Sequence, residues 1–185
     1  MKKLLSTLTI ILLTLSVTAQ DEAPLTKQEK KMLRKEQKKQ YEKMLEVNTA
    51  QAIQSGRYIL KADQVRGRGG VYLPVNPTIN FIAVEGKTVY VQLGSETGIG
   101  YNGVGGITLK GEMTSYKVEQ DKGEGTYFIQ INTTGSSGAL TIMMHVNIRG
   151  DMTTATVRTN WGSRVDFSGD LVPAGSHIFK GTESL

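Results

Sequence analysis

The sequence predicts a mainly β domain, an antiparallel up-and-down barrel or sandwich of about eight strands, with one N-terminal helix; a calycin-like barrel is one such arrangement. Three observations carry this. Glycine is abundant, 21 of 185 residues, which fits many short strands joined by tight turns. From residue 57 onward apolar and polar residues alternate, the period of a half-buried strand. Residues 27–54 contain neither Gly nor Pro and are rich in helix formers. At this length, one domain with a core of ordinary size is expected rather than two.

Residues 1–19 read as a signal peptide. Met1-Lys2-Lys3 is a basic start, residues 4–17 form an apolar run of secretory length, and Val17-Thr18-Ala19 supplies the small residues that cleavage requires. The run falls short of the roughly 20 apolar residues of a spanning helix and is diluted by Ser and Thr. The mature chain is expected to begin near Gln20, and in a bacterium its destination is the periplasm or the exterior. No Cys follows the leader, so it offers no lipid-anchor site. The chain has no Cys anywhere, which removes disulfides, thiolate nucleophiles and sulfur ligands.

Residues 20–55 form a basic helical segment. Thr26 with Glu29 three residues on is a capping box, and Ser55-Gly56 is a stop. The first half has Met32 and Leu33 as its apolar residues, and its cations repel one another at i, i+4. It is expected to be solvated. The second half places Tyr41, Leu45, Asn48 and Ala52 on one face, with Met44 and Ile53 beside it, a stripe that can dock on the β domain of residues 56–185.

Within that domain, strands are expected near 57–65, 79–85, 87–93, 106–118, 125–133, 139–149, 152–159 and 164–172. Glycine-bearing turns separate them, at 67–70, 85–87, 121–125, 135–138 and 150–151. Alternation sorts the faces. Leu140, Ile142, Met144, Val146 and Ile148 point one way, and Thr141, Met143, His145, Asn147 and Arg149 the other. Val165, Phe167 and Leu171 face inward, with Arg164, Asp166, Ser168 and Asp170 outward. Nothing local decides between barrel and sandwich.

The net charge of +5 is not spread evenly. Residues 26–55 carry eight Lys/Arg against four Glu, whereas residues 56–185 carry twelve against eleven acidic residues. A near-neutral β body in an exported protein argues against a nucleic-acid partner. The basic helix reads as a spacer or as a contact for an anionic partner such as lipid or an envelope protein.

No catalytic, cofactor-binding or metal-ligating residue emerges. Gly98-x-Gly100-x-x-Gly103 has the spelling of a dinucleotide fingerprint, but a helix must follow, and Gly106-Ile107-Thr108-Leu109-Lys110 reads as a strand. The glycine run reads instead as a bend of the sheet, with Gly105 and Gly106 intolerant of a β-branched residue. His145 lies on the polar face of its strand with no Ser or Cys nucleophile motif, as a surface histidine does. Asp166 and Asp170, four apart on one strand face, sit roughly 13 Å from each other, too far for a glycosidase pair. Arg164 beside Asp166 reads as solvated charge. Trp161 reads as a partly buried hairpin aromatic rather than a sugar-stacking residue.

Several segments are recognisable together: Ser55-Gly56-Arg57-Tyr58-Ile59-Leu60-Lys61-Ala62-Asp63, Asn80-Phe81-Ile82, Tyr90-Val91-Gln92, the stretch from Asn102 to Gly111, Gly169-Asp170-Leu171-Val172-Pro173 and Ile178-Phe179-Lys180-Gly181. On these, the chain from about residue 40 to 182 resembles a secreted family of Bacteroidota known as a domain of unknown function, DUF4251. The resemblance implies an exported, mostly β domain and brings no activity, cofactor or site residue. The expected function is therefore a non-enzymatic periplasmic binding or interaction module for a small apolar ligand. The alternatives are an envelope assembly factor that uses its basic helix, and a hydrolase, which would need His145 and Asp166 or Asp170 gathered with a hydroxyl.

Overall fold

The computed structural model describes residues 26–67, 69–95, 102–121, 123, 125–136 and 138–184. The expected signal peptide, Gly98 and Gly100 lie outside them. The chain divides into two compact units, Met1–Glu36 and Gln37–Leu185, and helix α1 (Lys27–Ser55) runs through the division.

In the first unit the cap is formed as the sequence predicts. The Thr26 backbone N–H and hydroxyl both donate to Glu29 Oε2, at 2.8 and 2.9 Å. These bonds hold the Glu29 carboxyl below its ordinary pKa. Every described residue of this unit is exposed.

The second unit holds the rest of α1 and nine strands: β1 (Arg57–Arg66), β2 (Tyr72–Pro74), β3 (Phe81–Glu85), β4 (Thr88–Leu93), β5 (Ile107–Asp121), β6 (Thr126–Gly135), β7 (Gly138–Val146), β8 (Thr153–Thr159) and β9 (Arg164–Pro173). The eight expected strands are all present, and β2 is an addition. At three residues, closely following Gly70 and ending on Pro74, it is too short for alternation to reveal. From β3 to β9 each strand pairs antiparallel with the next, and β1 pairs with both β3 and β9. The β1–β9 seam runs from Tyr58↔Pro173 to Arg66↔Asp166, with a bulge between Ala62 and Gln64. That seam closes an eight-stranded barrel, and β2 adds to the far end of β1.

The inward rows are those that the alternation marks. Ile129 and Ile131 of β6, Ile142 and Met144 of β7, and Phe167 of β9 are fully buried and form one cluster with Tyr58, Leu60, Ile82 and Val84. The C-terminal turn of α1 contributes Ala52 and Ile53 to the same cluster, and the Tyr116 hydroxyl donates to the Ile53 carbonyl at 2.9 Å. This anchor rotates the docking face from the expected one. Thr49, Ala52 and Ile53 are buried, while Tyr41 and Met44 are exposed.

A second apolar cluster lies on the outside of the wall, where Ile59, Phe81 and Ala83 pack with Tyr90, Val172 and Ile178. The C-terminal residues 174–184 cover this face as an extended strap. Backbone bonds tie it down, Phe179 N–H to Thr78 O at 2.8 Å, Thr182 N–H to Asn102 O at 2.9 Å and Ser184 N–H to Thr108 O at 2.8 Å. Gln92, wholly buried, is the hub: it donates to Ile79 O and Phe179 O and accepts from Gly181 N–H and the Thr108 hydroxyl. All four of its hydrogen-bonding sites are thus used.

Candidate functional site

The glycine run, which opens on residues outside the described set, is organised by Asn102. Its amide donates to Leu93 O and the Thr108 hydroxyl, and its Oδ1 accepts from Val104 N–H and Gly106 N–H. Gly105 has φ +77°, and a Cβ on Gly106 would strike the Leu93 carbonyl group. Strand β5 follows directly. Without a helix N-terminus, the run has no dipole to hold a pyrophosphate.

His145 is exposed on β7 and packs edge-on against Phe128, with ring centroids 4.8 Å apart. Asp170 is exposed on β9. Trp161 is 57 % exposed, on the β8–β9 hairpin, and its ring edge lies over Gly138. Among the described residues no hydrogen bond links His145, Asp166 and Asp170 to one another, and Asp166 alone of the three meets a hydroxyl, that of Thr156. No cluster of three or more His, Asp or Glu able to hold a metal occurs among the described residues.

Asp166 corrects the sequence reading. It faces outward as expected, yet it is only 7 % exposed, because Arg66 on β1 and Arg164 on its own strand close over it. Arg66 donates Nε and Nη2 to Oδ2 at 3.0 and 2.7 Å, while Arg164 Nε and the Thr156 hydroxyl donate to Oδ1 at 2.9 and 2.7 Å. Arg66 also lies over the Tyr72 ring, 4.7 Å from its centroid. Burial alone raises the carboxyl pKa, but the bonds from Arg164, Thr156 and Arg66 outweigh it and lower the pKa to about 2, from 3.8. A folded pKa below the unfolded one adds stability above the unfolded value, lost as pH falls through the folded one. Urea midpoints are therefore expected to fall between about pH 4 and pH 2. Asp166→Asn should flatten that part of the profile; an unchanged profile would show that the carboxylate contributes nothing.

Two openings lie at the end of the barrel away from Ala52 and Ile53. Inside the mouth, Val91, Leu93, Leu109, Val157, Val165 and Phe167 line a space of about 50 Å³, too small for an organic ligand. Beside it, between the β1–β2 hairpin and the end of β4, lies an open cleft of about 620 Å³. Val65, Leu73, Pro74, Val75 and Ile79 give it an apolar lining, with Asn76, Gly94 and Ser95 at its polar side. Leu73 is 59 % exposed there. No motif marks this cleft, since its walls come from three segments far apart in the chain.

The profile of a domain of unknown function, DUF4251, matches residues 38–171. The chain belongs to the DUF4251 family. A crystal structure of a DUF4251 family protein from Bacteroides eggerthii is similar, with a TM-score of 0.58 at 26 % identity over 70 % of this chain and 88 % of that one. No curated protein matches the sequence. The DUF4251 match takes in the second half of α1, the barrel, the cleft and the Asp166 cluster, and it stops before the strap.

Proposed function

We propose that the protein is an exported, non-enzymatic binding module that takes an apolar ligand in the cleft at the barrel mouth. One observation carries this reading: the space inside the barrel mouth is only about 50 Å³, while an open apolar cleft of about 620 Å³ lies beside the mouth and exposes Leu73. A cleft of this size is in the range of small-molecule sites. The interior of a ligand-carrying calycin is not available, so the ligand belongs on the rim. The apolar rows fill the inside of the barrel and Arg, Lys, Glu and Thr stand outside, the reverse of a barrel that faces lipid. In this reading the basic half of α1 is a solvated spacer.

The test is titration of the mature protein with the fluorescent apolar probe N-phenyl-1-naphthylamine. Leu73→Glu should weaken binding, because covering a leucine is worth about 2 kcal/mol, roughly thirtyfold in affinity. Its melting temperature should not change, since Leu73 is outside the core. Equal probe binding by Leu73→Glu and wild type, or none by either, would overturn the assignment.

A further inference from the structure

We propose that Arg66, Arg158 and Arg164 form a second site, on the outer wall near the barrel mouth, that binds the phosphate group of a phosphate monoester. The inference does not depend on the apolar cleft.

The buried Asp166 holds two guanidiniums in place, each by one edge. Arg66 uses Nε and Nη2 on it and Arg164 uses Nε. The remaining nitrogens of both have no hydrogen-bond partner among the described residues. Between them lies a recess of about 250 Å³ lined by Arg66, Gly67, Arg164 and Asp166. Fixed, planar guanidiniums with free donor edges match the oxygens of a phosphate.

Arg158 supplies the independent observation. It is exposed and makes no ion pair or hydrogen bond among the described residues, and on β8 it stands directly opposite Arg164 on β9. Like charges directly opposite on one sheet face destabilise the pairing. A purely structural salt-bridge cluster has no use for this third arginine. Two guanidiniums hold the one carboxylate and a third stands in register with Arg164, leaving two positive charges, which a phosphate monoester dianion neutralises.

The experiment compares wild type with Arg158→Gln, a substitution that removes no hydrogen bond or ion pair among the described residues. Melting is followed in inorganic phosphate against chloride at equal ionic strength, and affinity by calorimetry with phenyl phosphate. Wild type should be stabilised by phosphate over chloride and should bind phenyl phosphate. Arg158→Gln should lose both by about tenfold or more in affinity, while melting in chloride at the same temperature or higher. Sedimentation with phosphatidic acid vesicles identifies the source. Arg158-dependent recruitment that inorganic phosphate reverses marks a lipid headgroup, and phenyl phosphate binding without recruitment marks a soluble ester. Equal phosphate effects in both proteins, or no phosphate effect beyond that of chloride, would overturn the site. Neither outcome touches the naphthylamine titration, so the two assignments fail separately.

Discussion

Gly169→Ala is expected to destabilise the domain by about 3 kcal/mol or more, at the upper end of what overpacking costs. Gly169 pairs with Ala62 in the β1–β9 seam, next to the bulge that shifts the register. A Cβ there would run into the Lys61 carbonyl oxygen and lie 2.8 Å from Ala62 Cα. Both are backbone atoms, so no rotamer change relieves the overlap; one strand must move away from the other. Because this pairing closes the barrel, the strain falls on the one contact between the first and last strands. Urea unfolding measures it, with Gly67→Ala as the control, since a Cβ on Gly67 meets nothing within 4 Å. The control should stay within about 0.5 kcal/mol of wild type. Equal midpoints for Gly169→Ala and the control would mean that the seam is looser than described.

Gln92→Leu should cost roughly 3–5 kcal/mol, from four bonds at about 1 kcal/mol each with a further penalty for groups left buried without partners. Leucine preserves the volume and removes every bond. Ile79 O, Phe179 O, Gly181 N–H and the Thr108 hydroxyl then lose a partner together. The strap should loosen before the barrel does, because two of the four groups belong to it. Limited trypsin digestion reads this directly: cleavage after Lys180 should accelerate in Gln92→Leu, ahead of any cleavage in the barrel. A variant as trypsin-resistant as wild type would show that the strap is held by its other bonds, among them Lys180 to Glu85 at 2.6 Å.

Much of the fold was legible because it is local. Alternation in residues 140–146 gives the inward row of Leu140, Ile142, Met144 and Val146 without reference to any other strand. Closure was not legible, since pairing Tyr58 with Pro173 is a relation between chain ends. The sequence also carries a signal of the strap. Tyr58-Ile59-Leu60 and Phe81-Ile82-Ala83-Val84 are continuous apolar runs, the mark of strands covered on both faces. They point to something lying over the outer wall, and the strap is what lies there. The resemblance segments around Asn80, Gln92, Asn102 and Phe179 also turn out to be parts of one hydrogen-bonded arrangement that holds the glycine loop and the strap.

The Asp166 cluster shows the opposite limit. Arg164 is visible two residues away, and a neighbouring pair of charges reads as solvated. Arg66 lies a hundred residues earlier, and it takes the register of β1 against β9 to set it over the carboxylate. The cleft was hidden for the same reason, with Val65, Ile79 and Gly94 meeting only once the barrel has formed.

The strap also sets an order of events. A chain still emerging, and short of its last dozen residues, can pair β3 through β8 in sequence as each hairpin appears. It holds β9 and can close the barrel on β1, but it lacks the strap, so Gln92 has neither Phe179 nor Gly181 to bond. The bonds between the outer wall and the strap thus form only after the strands of the barrel are all present, and the long-range contacts that hold Gln92 come last. A chain that emerges from its N-terminal side onward would leave Ile59, Phe81 and Ala83 uncovered until residues 174–184 had followed.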